Sequence, residues 1–307
     1  MSIRGAGKIA RAASSALSDL ASSWNGSSKD DLIEDLKKAA RELHSTRPSA
    51  VSLRNALLLT LKDVEKETDI TSVKDMVIKR SGEFISSSQK ALDRIAEIGK
   101  NRIPKGSTVM THCNSSAALA VIHSAFMDGR VEEVFATESR PWRQGQITVK
   151  WLSERDIPVT MIVDSAVRHF MNDMDMVCVG ADTITANGAV INKIGTSQIA
   201  LAAREARTPF MVCAETYKFS RETLMGSLVE IEDRGPDEVA DPMRPEDFPG
   251  VKFRNPVFDA TPPEYIDSII TELGIISPYM ATEVIREMFN ISGPIPLDSK
   301  GVDFYWL

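Results

Sequence analysis

Cys113 and Asp182 are the residues whose types and settings suit proton transfer in this sequence. The run Ser107-Thr108-Val109-Met110-Thr111-His112-Cys113-Asn114-Ser115-Ser116-Ala117 puts the cysteine after a strand-length apolar stretch and before a helix that Asn114 or Ser115 would cap. A helix N-terminus makes a thiol more acidic, so this placement predicts a Cys113 thiolate able to act as base or nucleophile. A small buried packing residue fits the same place. The run Val177-Cys178-Val179-Gly180-Ala181-Asp182 ends a strongly apolar stretch on a carboxylate. Burial there would raise its pKa and leave Asp182 protonated at neutral pH, able to donate a proton. A turn or capping aspartate is the plainer alternative.

Other residues are of the kind that hold an anion. Asn192 and Lys193 in Val190-Ile191-Asn192-Lys193-Ile194-Gly195-Thr196 precede a helix expected to start at 196, which suits a phosphate. Arg4-Gly5-Ala6-Gly7, Arg47 and the stretch from Arg140 to Gly145 could serve likewise, glycine admitting close backbone approach and arginine supplying a bidentate fork. The formal net charge of −7 repels phosphates and nucleic acid from the molecule as a whole, so any anion needs a local site. The three cysteines, Cys113, Cys178 and Cys213, are odd in number and widely spaced, against a disulfide framework or a thiolate zinc site. Cys178 and Cys213, flanked by valines, read as core. His112 and His169 have no partner at metal-ligand spacing, and His44 and His123 fall in helical stretches; structural or surface roles are expected for all four.

These residues need a scaffold. Residues 8–100 show helical periodicity and no strand, as in Leu32, Ile33, Leu36, Ala39, Ala40 and Leu43. From 107 on, apolar runs at 107–111, 131–137, 158–164, 174–180 and 209–215 alternate with helical stretches, which predicts a parallel sheet covered on both faces. Each run ends in polar residues, where active sites of such sheets gather. The expected division is a helical domain over 1–103 and an α/β domain over 104–307. Residues 232–250, rich in Asp, Glu and Pro, read as a surface excursion. No strand is followed by Gly-x-Gly-x-x-Gly, which disfavours a generic dinucleotide-binding protein. No apolar run approaches the ~20 residues that cross a bilayer, so no membrane association and a cytoplasmic location are expected.

The segments Thr-His-Cys-Asn-Ser, Glu-Ser-Arg-Pro-Trp-Arg-Gln-Gly, Gly-Ala-Asp-Thr-Ile-Thr-Ala-Asn-Gly-Ala-Val-Ile-Asn-Lys-Ile-Gly-Thr and Ala-Glu-Thr-Tyr-Lys-Phe together resemble one family. It joins archaeal ribose-1,5-bisphosphate isomerases, methylthioribose-1-phosphate isomerases and regulatory subunits of a eukaryotic translation initiation exchange factor. The resemblance runs from Arg4 to about Pro278 and is closest to the ribose-1,5-bisphosphate isomerases, which share the Arg-Gly-Ala-Gly opening. It implies a helical N-terminal domain and a Rossmann-like domain with a mostly parallel sheet, Cys113 as proton acceptor and Asp182 as proton donor. It places substrate contacts at Arg4, Gly5, Ala6, Gly7, Arg47, Ser115, Ser116, Ala117, Asn192, Lys193 and Lys218. It implies a sugar phosphate as partner, no metal or other cofactor, activation by AMP, and homo-oligomers, either dimers or hexamers built from them. Methylthioribose 1-phosphate isomerisation and a non-catalytic regulatory role are the competing expectations; retention of both Cys113 and Asp182 argues against the second.

Overall fold

The computed structural model describes residues 5–291 of the 307; Arg4 and the tail after Ile291 lie outside them. Four helices come first: α1 (Ala6–Ser23), α2 (Lys29–Ser45), α3 (Val51–Leu61) and α4 (Ile70–Gly99). Their starts follow from local chemistry. Ser28 accepts a hydrogen bond from Asp31 N at the head of α2, and Asp69 and Ser72 form a reciprocal capping box at the head of α4. The apolar faces meet in one cluster around Leu17, Leu32, Leu36, Leu57, Val73 and Val77. Each such side chain, fully buried, contributes roughly 1.5–3 kcal/mol, enough to fix the pairing of amphipathic helices that would be marginal alone.

The rest alternates strands and helices as the periodicity predicts, with β1 (Ser107–Thr111), α5 (Ser116–Met127), β2 (Val131–Thr137), α6 (Gly145–Ser153), β3 (Val159–Ile162), α7 (Val167–Phe170), β4 (Met176–Gly180), β5 (Thr183–Ile184), β6 (Val190–Lys193), α8 (Thr196–Ala206) and β7 (Phe210–Cys213). After a long excursion containing α9 (Asp237–Ala240) come β8 (Phe258–Thr261), β9 (Ser268–Thr271), β10 (Gly274–Ile276) and α10 (Ala281–Phe289). Seven strands form a sheet in the order β10-β9-β7-β4-β1-β2-β3, parallel except for the antiparallel β10 edge. Strands β5, β6 and β8 make a small antiparallel sheet beside it. The five strand-length runs foreseen in the sequence are strands, three of them trimmed at their ends. Strands β8 to β10 and the small sheet carried no comparable signal.

Every residue of β4 and β7 is buried, Cys178 and Cys213 included, because helices cover both faces. The two thiols lie 3.6 Å apart as free cysteines, in the core as expected. The chain steps from β1 through β2 to β3 in one direction and places β4 and β7 on the other side of β1. The order therefore reverses between β1 and β4, and in open α/β sheets the crevice forms at the carboxyl ends of the strands flanking that reversal. Cys113 and Asp182 stand there. Among the described residues, no helix is long and apolar enough to cross a membrane.

Candidate active site

A cleft of about 330 Å³ opens over these strand ends, beneath the N-terminus of α1. Cys113 enters it from the end of β1, Asp182 from the end of β4, Glu215 and Lys218 from the turn after β7, and Trp142 and Gln144 from the loop after β2. Lys193 and Asn192 come from β6, Arg47 from the α2–α3 loop, and Gly5, Ala6, Gly7, Lys8 and Arg11 from the start of α1. Ser115 and Ser116 also line it. Of the contacts foreseen, Arg4 lies outside the described residues, and Ala117, in the first turn of α5, is buried in the core and is not among the residues lining the cleft. Within the Arg140 to Gly145 stretch the lining residues are Trp142 and Gln144. Arg140 instead approaches Asp241 at 3.9 Å.

Close packing brings the pieces together. A Cβ on Gly180 would come within 2.2 Å of Ser115 Oγ, so only glycine lets the first turn of α5 sit on the end of β4. A Cβ on Gly7 would come within 2.7 Å of the Tyr217 hydroxyl, so α1 lies directly on the turn after β7. Asn55 of α3, fully buried, donates from Nδ2 to the carbonyls of Tyr217 and Phe219, each at 2.9 Å, and clasps that same turn. Asp259 accepts from Gly195 N and Ser197 N at 2.8 and 3.1 Å and fixes the head of α8 after Lys193.

Electrostatics separates the two proton-transfer candidates. Burial pushes the Asp182 carboxyl above its ordinary value, held back by the charges of Lys218, Lys193 and Arg47 and helped by Glu215. That is the direction expected for a carboxyl at the end of an apolar strand. Burial also pushes the Cys113 thiol up, to about 11, against the pull of the Lys193 ammonium. The thiolate expected from a helix N-terminus is thereby corrected: the N-cap of α5 is Ser115, two residues beyond the thiol, and desolvation outweighs the dipole. Lys218 sits 2.8 Å from Glu215 Oε2, and the Tyr217 hydroxyl donates to Glu215 Oε1 at 2.8 Å. Although burial works against it, this company keeps Glu215 below the usual carboxylate range, hence ionised.

His112, expected in a structural or surface role, is buried and lines the cleft. Its Nε2 lies 2.9 Å from the Ile194 carbonyl oxygen, which can only accept, so the proton is on Nε2 and Nδ1 accepts from Thr137 Oγ1 at 2.5 Å. Burial lowers its pKa and keeps the ring neutral. Lys8, Arg11, Glu215 and Arg234 are further lining residues that the sequence did not single out for the site. The Arg234 guanidinium lies over the Trp142 ring at 4.9 Å, and the Lys193 ammonium over Phe258 at 5.2 Å. Among the described residues, six lysine and arginine side chains line the cleft against the two carboxylates of Asp182 and Glu215. The arrangement is that of a site for a strongly anionic ligand with one acid and one thiol between its cations.

Comparison with known proteins is consistent in direction. A family model described as the Initiation factor 2 subunit family matches residues 2–278. A protein of Archaeoglobus fulgidus named ribose 1,5-bisphosphate isomerase is 53% identical over 99% of this chain and 96% of its own. One of the same name from Methanocaldococcus jannaschii is 49% identical over 94% of this chain and 92% of its own. Among solved structures, 5-methylthioribose 1-phosphate isomerase from Pyrococcus horikoshii OT3 superposes with a TM-score of 0.76 at 30% identity, covering 95% of this chain and 85% of that one.

Proposed function

The chain belongs to the Initiation factor 2 subunit family, and from that premise and the chemistry of the cleft we propose that it is an aldose–ketose isomerase converting ribose 1,5-bisphosphate to ribulose 1,5-bisphosphate. The observation that carries the reading is the pair Cys113 and Asp182 on adjacent strand ends inside a cleft lined by six cations. A thioether sugar bears a single phosphate, and its apolar end would gain nothing from buried ammonium groups, whose desolvation costs free energy. Lys193 and Lys218 are both buried. A bisphosphate makes use of both.

A sugar phosphorylated at its anomeric oxygen cannot open as a free aldose does, so ring opening needs an acid at the ring oxygen and isomerisation needs a base at C2. In this reading protonated Asp182 gives its proton to the departing ring oxygen. The Cys113 sulfur takes the C2 proton, and the resulting enediol, still phosphorylated, is reprotonated at C1 to give the ketose. Lys193, which favours the thiolate form, lines the same cleft. Residues 1–103 then act as a helical domain laid across a catalytic domain of 104–307. Cytoplasmic location, homo-oligomeric assembly and activation by AMP complete the proposal, the last two checked by sedimentation and by assays with and without the nucleotide.

The deciding experiment incubates the purified protein with ribose 1,5-bisphosphate, methylthioribose 1-phosphate and ribose 5-phosphate and follows ketose formation. The bisphosphate should react fastest, and Cys113→Ser should abolish the reaction while leaving binding within a few-fold, since a hydroxyl is far too weak an acid to replace the thiol. Preference for the thioether sugar, or no ketose from any of the three, overturns the proposal.

A further inference from the structure

Cys113 has φ +65, in the left-handed region that a residue with a side chain occupies only when its surroundings fix it there. Ser139, across the cleft wall, is left-handed too, with φ +59. The backbone groups of Cys113 are held from opposite sides. Its N–H donates to Ser139 Oγ at 2.7 Å, and its carbonyl accepts from Thr148 Oγ1 at 2.7 Å. The thiol meets Gln144 Oε1 at 3.5 Å. All three partners come from one stretch, the loop after β2 and the first turns of α6.

That stretch is itself anchored. Asp164 accepts from the backbone N–H groups of Ser139 and Arg140 at 2.8 and 2.7 Å, and Asn114 Nδ2 donates to Thr148 Oγ1 at 3.0 Å. Gly145 has no room for a Cβ, which would fall 1.8 Å from the Thr137 carbonyl oxygen. With His112 Nδ1 committed to Thr137, the Ser139 proton is directed to Thr137 Oγ1 at 3.2 Å, so the Ser139 oxygen is left to accept from Cys113 N. The direction of each bond in this buried chain is set by the Ile194 carbonyl at its far end.

We propose that Ser139, Thr148 and Gln144 form a positioning clamp for the proposed proton acceptor: the two hydroxyls lock the Cys113 backbone so that its sulfur points into the cleft, and the Gln144 carboxamide serves both proton states of that sulfur. A carboxamide is suited to this because its oxygen accepts from the thiol S–H and, once the proton has left, its NH₂ donates to the thiolate after a half-turn of the amide. The inference rests on the isomerase reading, which assigns Cys113 its role. None of the three side chains transfers a proton itself.

The test separates the two layers. Ser139→Ala and Thr148→Val should each lower kcat at least tenfold with KM for ribose 1,5-bisphosphate within threefold, and Thr148→Ser, which keeps the hydroxyl that holds the Cys113 carbonyl, should recover most of the loss. Equal losses in Thr148→Val and Thr148→Ser, or none in Ser139→Ala, overturn the clamp. The second arm needs no turnover: the pH midpoint for alkylation of Cys113 by iodoacetamide, located by mass spectrometry, should move up by a pH unit or more in both Gln144→Leu and Gln144→Glu. Leucine removes the donor to the thiolate, and glutamate sets a second negative charge beside it. An unmoved midpoint in both overturns the role of Gln144. Absence of isomerase activity in the unaltered protein, with the midpoint shift still present, would sink the functional reading alone.

Discussion

At the scale of single residues, the two proton-transfer candidates are held in the protonation states that are hardest to use together. Burial favours the neutral form of both, so the productive combination of Cys113 thiolate with protonated Asp182 is a minority species in the free protein. kcat/KM should therefore rise as the pair loses its first proton, hold level while the two groups share one, and fall as the second leaves. The aspartate also carries a stability consequence with a definite sign. Its folded pKa lies above its unfolded value, so the folded state binds the proton more tightly, and the associated stability is fully present below the unfolded pKa and lost as pH rises through the folded one. Asp182→Asn should thus cut turnover by on the order of 10²-fold or more while leaving the protein at least as stable as the parent at pH 7, the difference vanishing in acid. Parallel melting curves at pH 4 and 7 check this; a variant destabilised only at pH 7 reverses the sign. For the lysines, Lys193→Met and Lys218→Met should each weaken bisphosphate binding by about 1.5–3 kcal/mol, the range of charge-assisted hydrogen bonds, measured at fixed ionic strength. If one lysine proves silent, the second phosphate is not where the proposal puts it.

At the scale of elements, the turn after β7 is the joint of the site, since it carries Glu215 and Lys218 and is gripped by α3 through Asn55 and by α1 through the close approach at Gly7. Asn55→Ala leaves two buried carbonyl oxygens without a donor, at roughly 1–3 kcal/mol for each unsatisfied group, so denaturant midpoints should fall measurably and substrate affinity with them. An unchanged midpoint would mean that water replaces the amide. The sequence made the strands of this scaffold legible because β1, β2, β4 and β7 are apolar runs of strand length bounded by polar residues. β5 and β10, of two and three residues, are too short for any period to show. The same limit explains the site. Cys113 and Asp182 could be read because each follows a recognisable apolar run, and Lys193 because it precedes an expected helix start. Gln144, Glu215 and Arg234 are ordinary polar residues until the sheet order brings their separate loops to one crevice. The hydrogen bonds that hold His112 were not legible, because its partners, Thr137 and Ile194, are 25 and 82 residues away. The Cys113 acidity was misjudged because a helix start is visible in sequence and the depth of burial is not.

At the scale of the whole molecule, the fold sorts charge. A chain of net charge −7 concentrates six cationic side chains against two carboxylates in one crevice, drawn from α1, the α2–α3 loop, β6, the turn after β7 and the excursion after it. The proposed reaction moves protons within the substrate and leaves both phosphates where they were. The six cations therefore grip the ketose as firmly as the aldose, and this shared affinity adds nothing to the rate of the chemical step. Product should then compete with substrate, with an inhibition constant within a few-fold of KM; progress curves run with added ketose would show it, and inhibition more than a hundredfold weaker would contradict it. Under these terms the crevice behaves as a reservoir that fills from either side, and the net direction of flow through it is set by whatever next consumes the ketose.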